Sequence, residues 1–178
     1  MQIWDTPTTL LLHTLSGHHR EVYALEFVPD RHTLISASTD RTLLVWDISS
    51  PSSNLYTEPV PSRTLSVKAD ATHPDTGICA LAVSPDGCHV AAGAFNGAVR
   101  VWDLQGEGTI TAEWNAHRRA VYGARFILQG TGLVTASLDR TLKHWDLGNP
   151  DTTYLCTLEG HNKVRPAGRQ HNAMPDIV

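Results

Sequence analysis

Residues 78–103 read ICALAVSPDGCHVAAGAFNGAVRVWD, and this stretch decides the fold class. It consists of short runs of apolar and small residues, separated by a Pro-Asp-Gly turn at 85–87 and an Asn-Gly pair at 96–97. Asn-Gly suits a tight hairpin, and Pro-Asp-Gly is typical of a turn between strands. The stretch therefore predicts three consecutive β-strands, the last of which ends in Trp-Asp at 102–103, and no helical period competes with that pattern.

The same order of strands and turns occurs in two further stretches. VYALEFVPDRHTLISASTDRTLLVWD begins at residue 22, and VYGARFILQGTGLVTASLDRTLKHWD begins at residue 121. Trp46 follows Trp4 by 42 residues and Trp145 follows Trp102 by 43, whereas Trp102 follows Trp46 by 56. Repeats of about 40 to 45 residues are typical of a unit of four short strands. An insertion at 49–75, rich in proline and serine, explains the longer spacing and predicts a surface loop.

These repeats resemble the WD-repeat family over about residues 1 to 161. The resemblance implies an all-β fold, a WD-repeat β-propeller of four-stranded antiparallel blades. Because a closed ring of seven blades needs about 300 residues, we expect it to be incomplete here, with about three full blades plus parts of two. The expected units are the end of a preceding blade at 1–16, full blades at 17–67, 76–115 and 116–160, the insertion at 49–75, and the start of a further blade with a disordered tail at 161–178.

A set of four residues recurs in the first and third blades, with Asp six residues before Trp in both copies. A set repeated once per blade points to a role that each blade needs, so we interpret it as structural and not as a catalytic triad. In WD-repeat proteins these positions form a hydrogen-bonded chain. The resemblance assigns this tetrad to His18, Ser36, Asp40 and Trp46, and to His117, Thr135, Asp139 and Trp145.

The second blade departs from the tetrad pattern. Pro74 stands where His is expected, Ala92 replaces the hydroxyl and Asn96 replaces Asp, although Trp102 remains. His73 is one position away, and it is either a substitute for the missing His or a solvated loop residue. We expect this blade to be the least rigid of the three.

Two tyrosines follow the first apolar residue of an inner strand, and two apolar residues directly precede turns, where polar residues are more usual. Packing against neighbouring blades is one interpretation of these side chains. In WD-repeat proteins, however, the matching positions look out from the wider face around the channel, where peptides and partner domains bind. The resemblance therefore predicts a partner-binding surface formed by Glu21, Tyr23, Cys79, Phe95, Tyr122 and Leu138.

The composition argues against several classes of function. A net charge of -4 is unfavourable for direct binding of nucleic acid, which usually needs clustered Lys and Arg. Cys79, Cys88 and Cys156 include no C-x-x-C pair, and the histidines lack metal-ligand spacing, so no metal site and no disulfide framework is predicted. We expect no enzyme activity and no cofactor, since no phosphate-binding glycine loop or unrepeated nucleophile is present. No export signal or membrane-spanning stretch is visible.

The amino-acid sequence of the repeats, above all from AVSPDG to AVRVWD, resembles the propeller of fungal Tup-type general transcriptional corepressors, which are related in role to Groucho. That resemblance implies a nuclear scaffold that binds DNA-bound repressors and subunits of a corepressor complex; otherwise the chain would be cytoplasmic. Contacts to repressors would fall at Tyr23, Phe95 and Tyr122. The alternatives are an adaptor in another assembly, such as a ubiquitin ligase or a signalling complex, or a truncated, non-functional propeller. Self-association could complete the ring.

Overall fold

The computed structural model describes residues 1–29, 32–49, 60–67, 76–148 and 153–160. Each strand in these segments pairs antiparallel with the next strand along the chain within its sheet. Sheet A contains β1 (Gln2–Trp4) and β2 (Leu11–Thr14). Sheet B contains β3 (Val22–Phe27), β4 (Thr33–Ser38), β5 (Thr42–Asp47) and β6 (Arg63–Ser66).

Sheet C contains β7 (Ile78–Val83), β8 (His89–Ala94), β9 (Ala98–Asp103) and β10 (Ile110–Asn115). Sheet D contains β11 (Val121–Ile127), β12 (Gly132–Ser137), β13 (Thr141–Asp146) and β14 (Thr153–Glu159), with a short 3-10 turn at Leu128–Gly130. The first strands of sheets B, C and D lie side by side, because β7 contacts both β3 and β11. The all-β prediction is thereby confirmed.

The core lies between successive sheets, and a repeated tryptophan contributes to each layer. Trp46 packs with Leu15 and Leu34 between sheets A and B. Trp102 belongs to the layer between sheets B and C, and Trp145 belongs to the layer between sheets C and D. A largely buried Trp removes about 150 to 250 Å² from water, so each contributes strongly to holding one sheet against the previous one.

The first strand of sheet B is more exposed than its counterparts in the next two sheets. Phe27 is 60% exposed, whereas Phe126, at the same place in β11, is 7% exposed. Val22 is exposed in the same way, whereas the matching Val121 is fully buried. The difference arises because sheets C and D each have a four-stranded sheet before them, whereas sheet A supplies only two strands in front of sheet B.

Several sequence predictions fall on parts of the chain outside the described residues. These parts include 50–59 and 68–75 of the predicted insertion, with His73 and Pro74, and the predicted tail at 161–178. Between the two insertion segments, β6 forms the outer strand of sheet B. In the segments that the structure describes, no helix has the length and apolar character needed to span a bilayer.

Candidate functional site

A β-bulge lies at the same place in the first strand pair of sheets B, C and D. The register shifts between Val22 and Ala24, between Ile78 and Ala80, and between Val121 and Gly123. The residues skipped by the pairing are Tyr23, Cys79 and Tyr122. Because a bulge re-aims side chains, these three positions are set apart from the regular alternation of their strands.

The turns between the second and third strands are held beside the bulges by one repeated hydrogen bond. The Thr39 amide donates to the Glu21 carbonyl at 3.0 Å, and the Phe95 amide donates to the Gly77 carbonyl at the same distance. In sheet D the Leu138 amide donates to the Ala120 carbonyl at 2.9 Å. This bond brings one turn residue next to the start of each inner strand, so the turn and the bulge form one surface.

Three aromatic rings on this surface form a continuous row, which we call the aromatic row: Tyr23, Phe95 and Tyr122. The ring centroids of Tyr23 and Phe95 are 5.4 Å apart with the planes at 88°, and those of Phe95 and Tyr122 are 5.9 Å apart at 87°. Edge-to-face pairs of this kind are favourable by about 0.5–1.5 kcal/mol beyond area burial. The tyrosines are 52% and 51% exposed, so the row is a preformed apolar surface that solvent reaches.

Two other predicted residues flank the aromatic row. Leu138 is exposed in the sheet D turn that corresponds to Phe95 in sheet C. Glu21 is also exposed, and its Oε2 accepts a hydrogen bond from the Thr39 hydroxyl at 2.8 Å. Hydrogen bonding from its own backbone and from Thr39 lowers the pKa of Glu21, so it carries a negative charge at neutral pH.

Cys79 differs from the other predicted surface residues. It is 4% exposed, and its thiol donates to the Val121 carbonyl at 3.0 Å, across the boundary between sheets C and D. The prediction that Cys79 looks out towards a partner is therefore wrong for this structure. Its place is the same bulge that carries a tyrosine in sheets B and D, but its short side chain turns into the contact between two inner strands.

In sheet D the tetrad forms a hydrogen-bonded chain with a defined direction. The Trp145 indole N–H can only donate, and it donates to Thr135 Oγ1 at 2.9 Å. The Thr135 hydroxyl then donates to His117 Nε2, 2.7 Å away, which leaves the ring proton on Nδ1. That Nδ1–H donates to Asp139 Oδ2 at 2.9 Å.

Sheet B contains the same hydrogen-bonded chain of side chains, with Ser in place of Thr. The Trp46 indole donates to Ser36 Oγ at 2.9 Å, and Ser36 Oγ lies 2.7 Å from His18 Nε2. His18 Nδ1 lies 2.9 Å from Asp40 Oδ2. Ser36 and Thr135 have no exposed surface, so no substrate can reach either hydroxyl, and the geometry supports a structural interpretation.

The tetrad carboxylates remain charged because they accept several hydrogen bonds. Burial raises the pKa of Asp40, but bonds from Thr42, from the His19 amide and from His18 outweigh it and lower the pKa to about 2. The pKa of Asp139 is lowered further, with burial opposing bonds from Thr141 and His117. Burial lowers the pKa of His117 despite its bond to Asp139, so its ring is held neutral.

Sheet C lacks this chain at the residues that can be compared. Ala92 is buried where the other sheets have a hydroxyl, and Asn96 Oδ1 accepts the Ala98 amide at 3.1 Å. An ion pair joins β9 to β10, with Nη2 of the buried Arg100 2.6 Å from Oε1 of the half-exposed Glu113. Reduced rigidity of this blade stays a prediction.

Exposed arginines, which were not predicted as part of the site, lie at the end of the sheets that carries the aromatic row. Arg20, Arg118, Arg119 and Arg140 are all exposed there. Their positions just before an inner strand or just after a turn were visible in the repeats, but the overall negative charge obscured them. Among the described residues, no group of three His, Cys, Asp or Glu side chains could hold a metal ion.

Comparison with known proteins places these features in a family. The family model described as WD domain, G-beta repeat matches residues 10–47, 62–103 and 108–146. A solved structure titled Structure of U3-55K superposes with a TM-score of 0.68 at 24% identity, covering 83% of this chain and 42% of that one, which shows the fold alone.

Three curated relatives illustrate the range of similar proteins. Ribosome biogenesis protein YTM1 of Laccaria bicolor is 27% identical over 150 residues, covering 82% of this chain and 30% of the relative. Periodic tryptophan protein 2 homolog of Schizosaccharomyces pombe is 33% identical over 124 residues, covering 70% and 13%. Pre-mRNA-processing factor 19 homolog 2 of Arabidopsis thaliana is 24% identical over 178 residues, covering 82% and 34%.

The chain thus spans about a third or less of these relatives. The WD-repeat model, by contrast, matches more than half of the chain, and each matched segment contains the last strand of one sheet and the first three strands of the next. This chain belongs to the WD-repeat family and has its β-propeller architecture.

Proposed function

We propose that this chain is a non-enzymatic protein-binding scaffold within a larger assembly, and that its partner binds on the aromatic row. The observation that carries the proposal is the pair of edge-to-face contacts joining Tyr23, Phe95 and Tyr122 across three sheets. Aromatic residues are enriched at the energetic centres of interfaces, because they bury large areas at a low cost in side-chain entropy.

Relatives in ribosome biogenesis and pre-mRNA processing support a nuclear RNA-processing assembly as the setting. This is a form of the adaptor alternative, in which the propeller serves an assembly other than a corepressor complex. The earlier resemblance to Tup-type corepressors implied DNA-bound repressors as partners. The relatives are named for ribosome biogenesis and pre-mRNA processing, so they do not support that narrower role.

The test compares proteins retained from nuclear extract by the tagged chain and by the triple variant Y23A/F95A/Y122A. Loss of one interface hot spot costs about 2 kcal/mol or more, which is roughly thirtyfold in affinity. We expect the variant to lose the bound proteins at equal bait concentration. The control is Ile110→Ala, which truncates an exposed apolar residue on the outer strand β10 and should retain them all.

Thermal unfolding of the triple variant must accompany this test, because Phe95 is half-buried. A variant that melts with the wild-type chain and still retains the same proteins would show that the partner binds elsewhere. If the variant melts early, the tyrosine pair alone is replaced by serine. Both tyrosines are about half exposed, so that change leaves the core intact.

A further inference from the structure

Arginines surround the aromatic row on the loops and turns at the same end of the sheets. Arg20 lies three residues before Tyr23, and Arg119 lies three residues before Tyr122. Arg41 and Arg140 occupy the same position in two equivalent turns, with φ of 72° and 73°. Arg118, which directly precedes Arg119, is the fifth arginine among the described residues at this end. The chain as a whole nevertheless has a net charge of -4.

The carboxylates at this end do not neutralise those arginines. The described loops and turns at this end carry Glu21, Asp40 and Asp139, and Glu159 ends the outer strand β14 opposite Thr141, next to Arg140. Both aspartates are committed to hydrogen bonds with their tetrad histidines and with backbone amides. Glu21 lies next to Arg20, at the Tyr23 end of the row. The positive charge is therefore concentrated at the Tyr122 end.

Three arginines cluster at that end: Arg118, Arg119 and Arg140, which we call the arginine rim. The Arg119 carbonyl accepts the Ser137 hydroxyl at 3.1 Å, and the next residue, Ala120, accepts the Leu138 amide. A Cβ on Gly97, two residues after Phe95, would lie 3.1 Å from the Arg119 carbonyl oxygen. The backbone of the rim thus lies directly beside both Leu138 and the Phe95 turn.

We propose that the aromatic row and the arginine rim together bind an acidic peptide segment of a partner protein in an extended conformation. The inference rests on the proposed function and names the chemistry of the partner. An apolar side chain of the peptide packs on the aromatic row, which roughly three extended residues can cross. Asp or Glu residues on one side of that anchor pair with the rim guanidinium groups, whose planar donors match a carboxylate in bidentate geometry.

The ring geometry favours a peptide over single-stranded RNA. Bases need exposed ring faces on which they can stack in succession. In the aromatic row each ring is nearly perpendicular to its neighbour, at 88° and 87°, so the row alternates between faces and edges. The Glu21 carboxylate at one end also repels phosphate groups, whereas it can accept a backbone amide of a peptide.

The experiment measures fluorescence anisotropy of the full chain with three labelled nine-residue peptides. All share a central Leu-Phe pair, and the flanking residues are glutamate, serine or lysine. A single-stranded RNA nonamer is the fourth probe. We expect the glutamate peptide to bind at least tenfold more tightly than the serine peptide at low salt, with the preference decreasing as salt increases.

The charge-reversal variant Arg119→Glu should abolish the preference for the glutamate peptide while leaving the serine peptide unaffected. The matched control is Arg125→Glu, which changes another exposed arginine, on β11, that pairs with Val134 away from the rim. The control should keep the tenfold preference. Loss of the preference in both variants would show a general charge effect and would overturn the inference.

The outcomes separate this inference from the proposed function. Equal binding of the glutamate and serine peptides, lost in Y23A/F95A/Y122A, would overturn the acidic preference and leave the proposed surface intact. If the RNA binds more tightly than every peptide, the inference of a peptide ligand is overturned in favour of nucleic acid. If no peptide binds while nuclear proteins are still retained through the aromatic row, the inference of an extended acidic peptide is wrong and the scaffold proposal stands.

Discussion

A Cβ atom added to Gly93 would lie 2.6 Å from Cγ1 of Val121, so sheets C and D approach as closely as a residue without a side chain allows. Gly93→Ala should therefore destabilise the chain by about 1–3 kcal/mol, because strands β8 and β11 must move apart. Urea unfolding measures the change. Gly160→Ala, where a Cβ meets nothing within 4 Å, is the control and should have little effect.

Removal of the central hydroxyl of a tetrad should be costly. Thr135→Val leaves the Trp145 indole N–H and His117 Nε2 without their partner, and a buried polar group left unpaired costs about 1–3 kcal/mol. Equilibrium unfolding should show a loss of about 2–3 kcal/mol. Thr111→Val removes a hydroxyl of an exposed β10 residue that donates to the Val101 carbonyl at 3.2 Å, and should cost only about 0.5–1 kcal/mol. Equal losses at both positions would contradict the role of the tetrad.

Stability should fall as the solution is acidified, in two steps. The pKa of His117 is lowered in the folded chain, so its contribution is complete above its unfolded value near 6.5 and is lost as pH falls below it. Asp40, with a folded pKa of about 2, contributes fully above about 3.8, and that contribution is lost towards pH 2.

Urea midpoints from pH 8 to pH 5 measure the first step. His117→Asn should flatten it, because the Asn amide can still donate towards Asp139 but does not titrate. His19→Asn changes an exposed histidine and should leave the slope as in the wild-type chain. An unchanged slope in the His117 variant would show that another group titrates.

Two phenylalanines at equivalent strand positions should differ in their energetic contribution. Phe126→Ala should cost about 3–5 kcal/mol, because the side chain is buried in the layer between sheets C and D. Phe27→Ala should cost less than about 1 kcal/mol, because its side chain is mostly exposed. A large loss in the Phe27 variant, increasing with protein concentration, would mean that a second copy covers this strand in solution.

The repeat spacing and the family resemblance together were sufficient to single out the tetrads. The hydrogen bonds in sheets B and D join the residues that the repeats placed in register, because a fixed strand length and turn length repeat the same geometry. The direction of each chain, from indole to carboxylate, also follows from which groups can donate. The aromatic row could be expected only as a set of exposed candidates, since ring geometry depends on three sheets at once.

The bulges and the burial of Cys79 could not be read from the sequence. A bulge places two residues opposite one, which shifts the alternation by one position without any marker in the strand itself. Whether the residue at that position is exposed depends on its size and on the adjacent inner strand. Tyr23 and Tyr122 extend beyond that contact, whereas the Cys79 thiol ends at the Val121 carbonyl.

The direction of the tetrad chain also makes each tryptophan a reporter of local opening. The indole protons of Trp46 and Trp145 are held on hydroxyls that have no exposed surface. Exchange of those protons with deuterated solvent therefore requires the sheet to open transiently, and its rate measures the free energy of that opening. Two resolved indole signals would report the transient opening of sheets B and D separately, because each sheet contains one such indole proton.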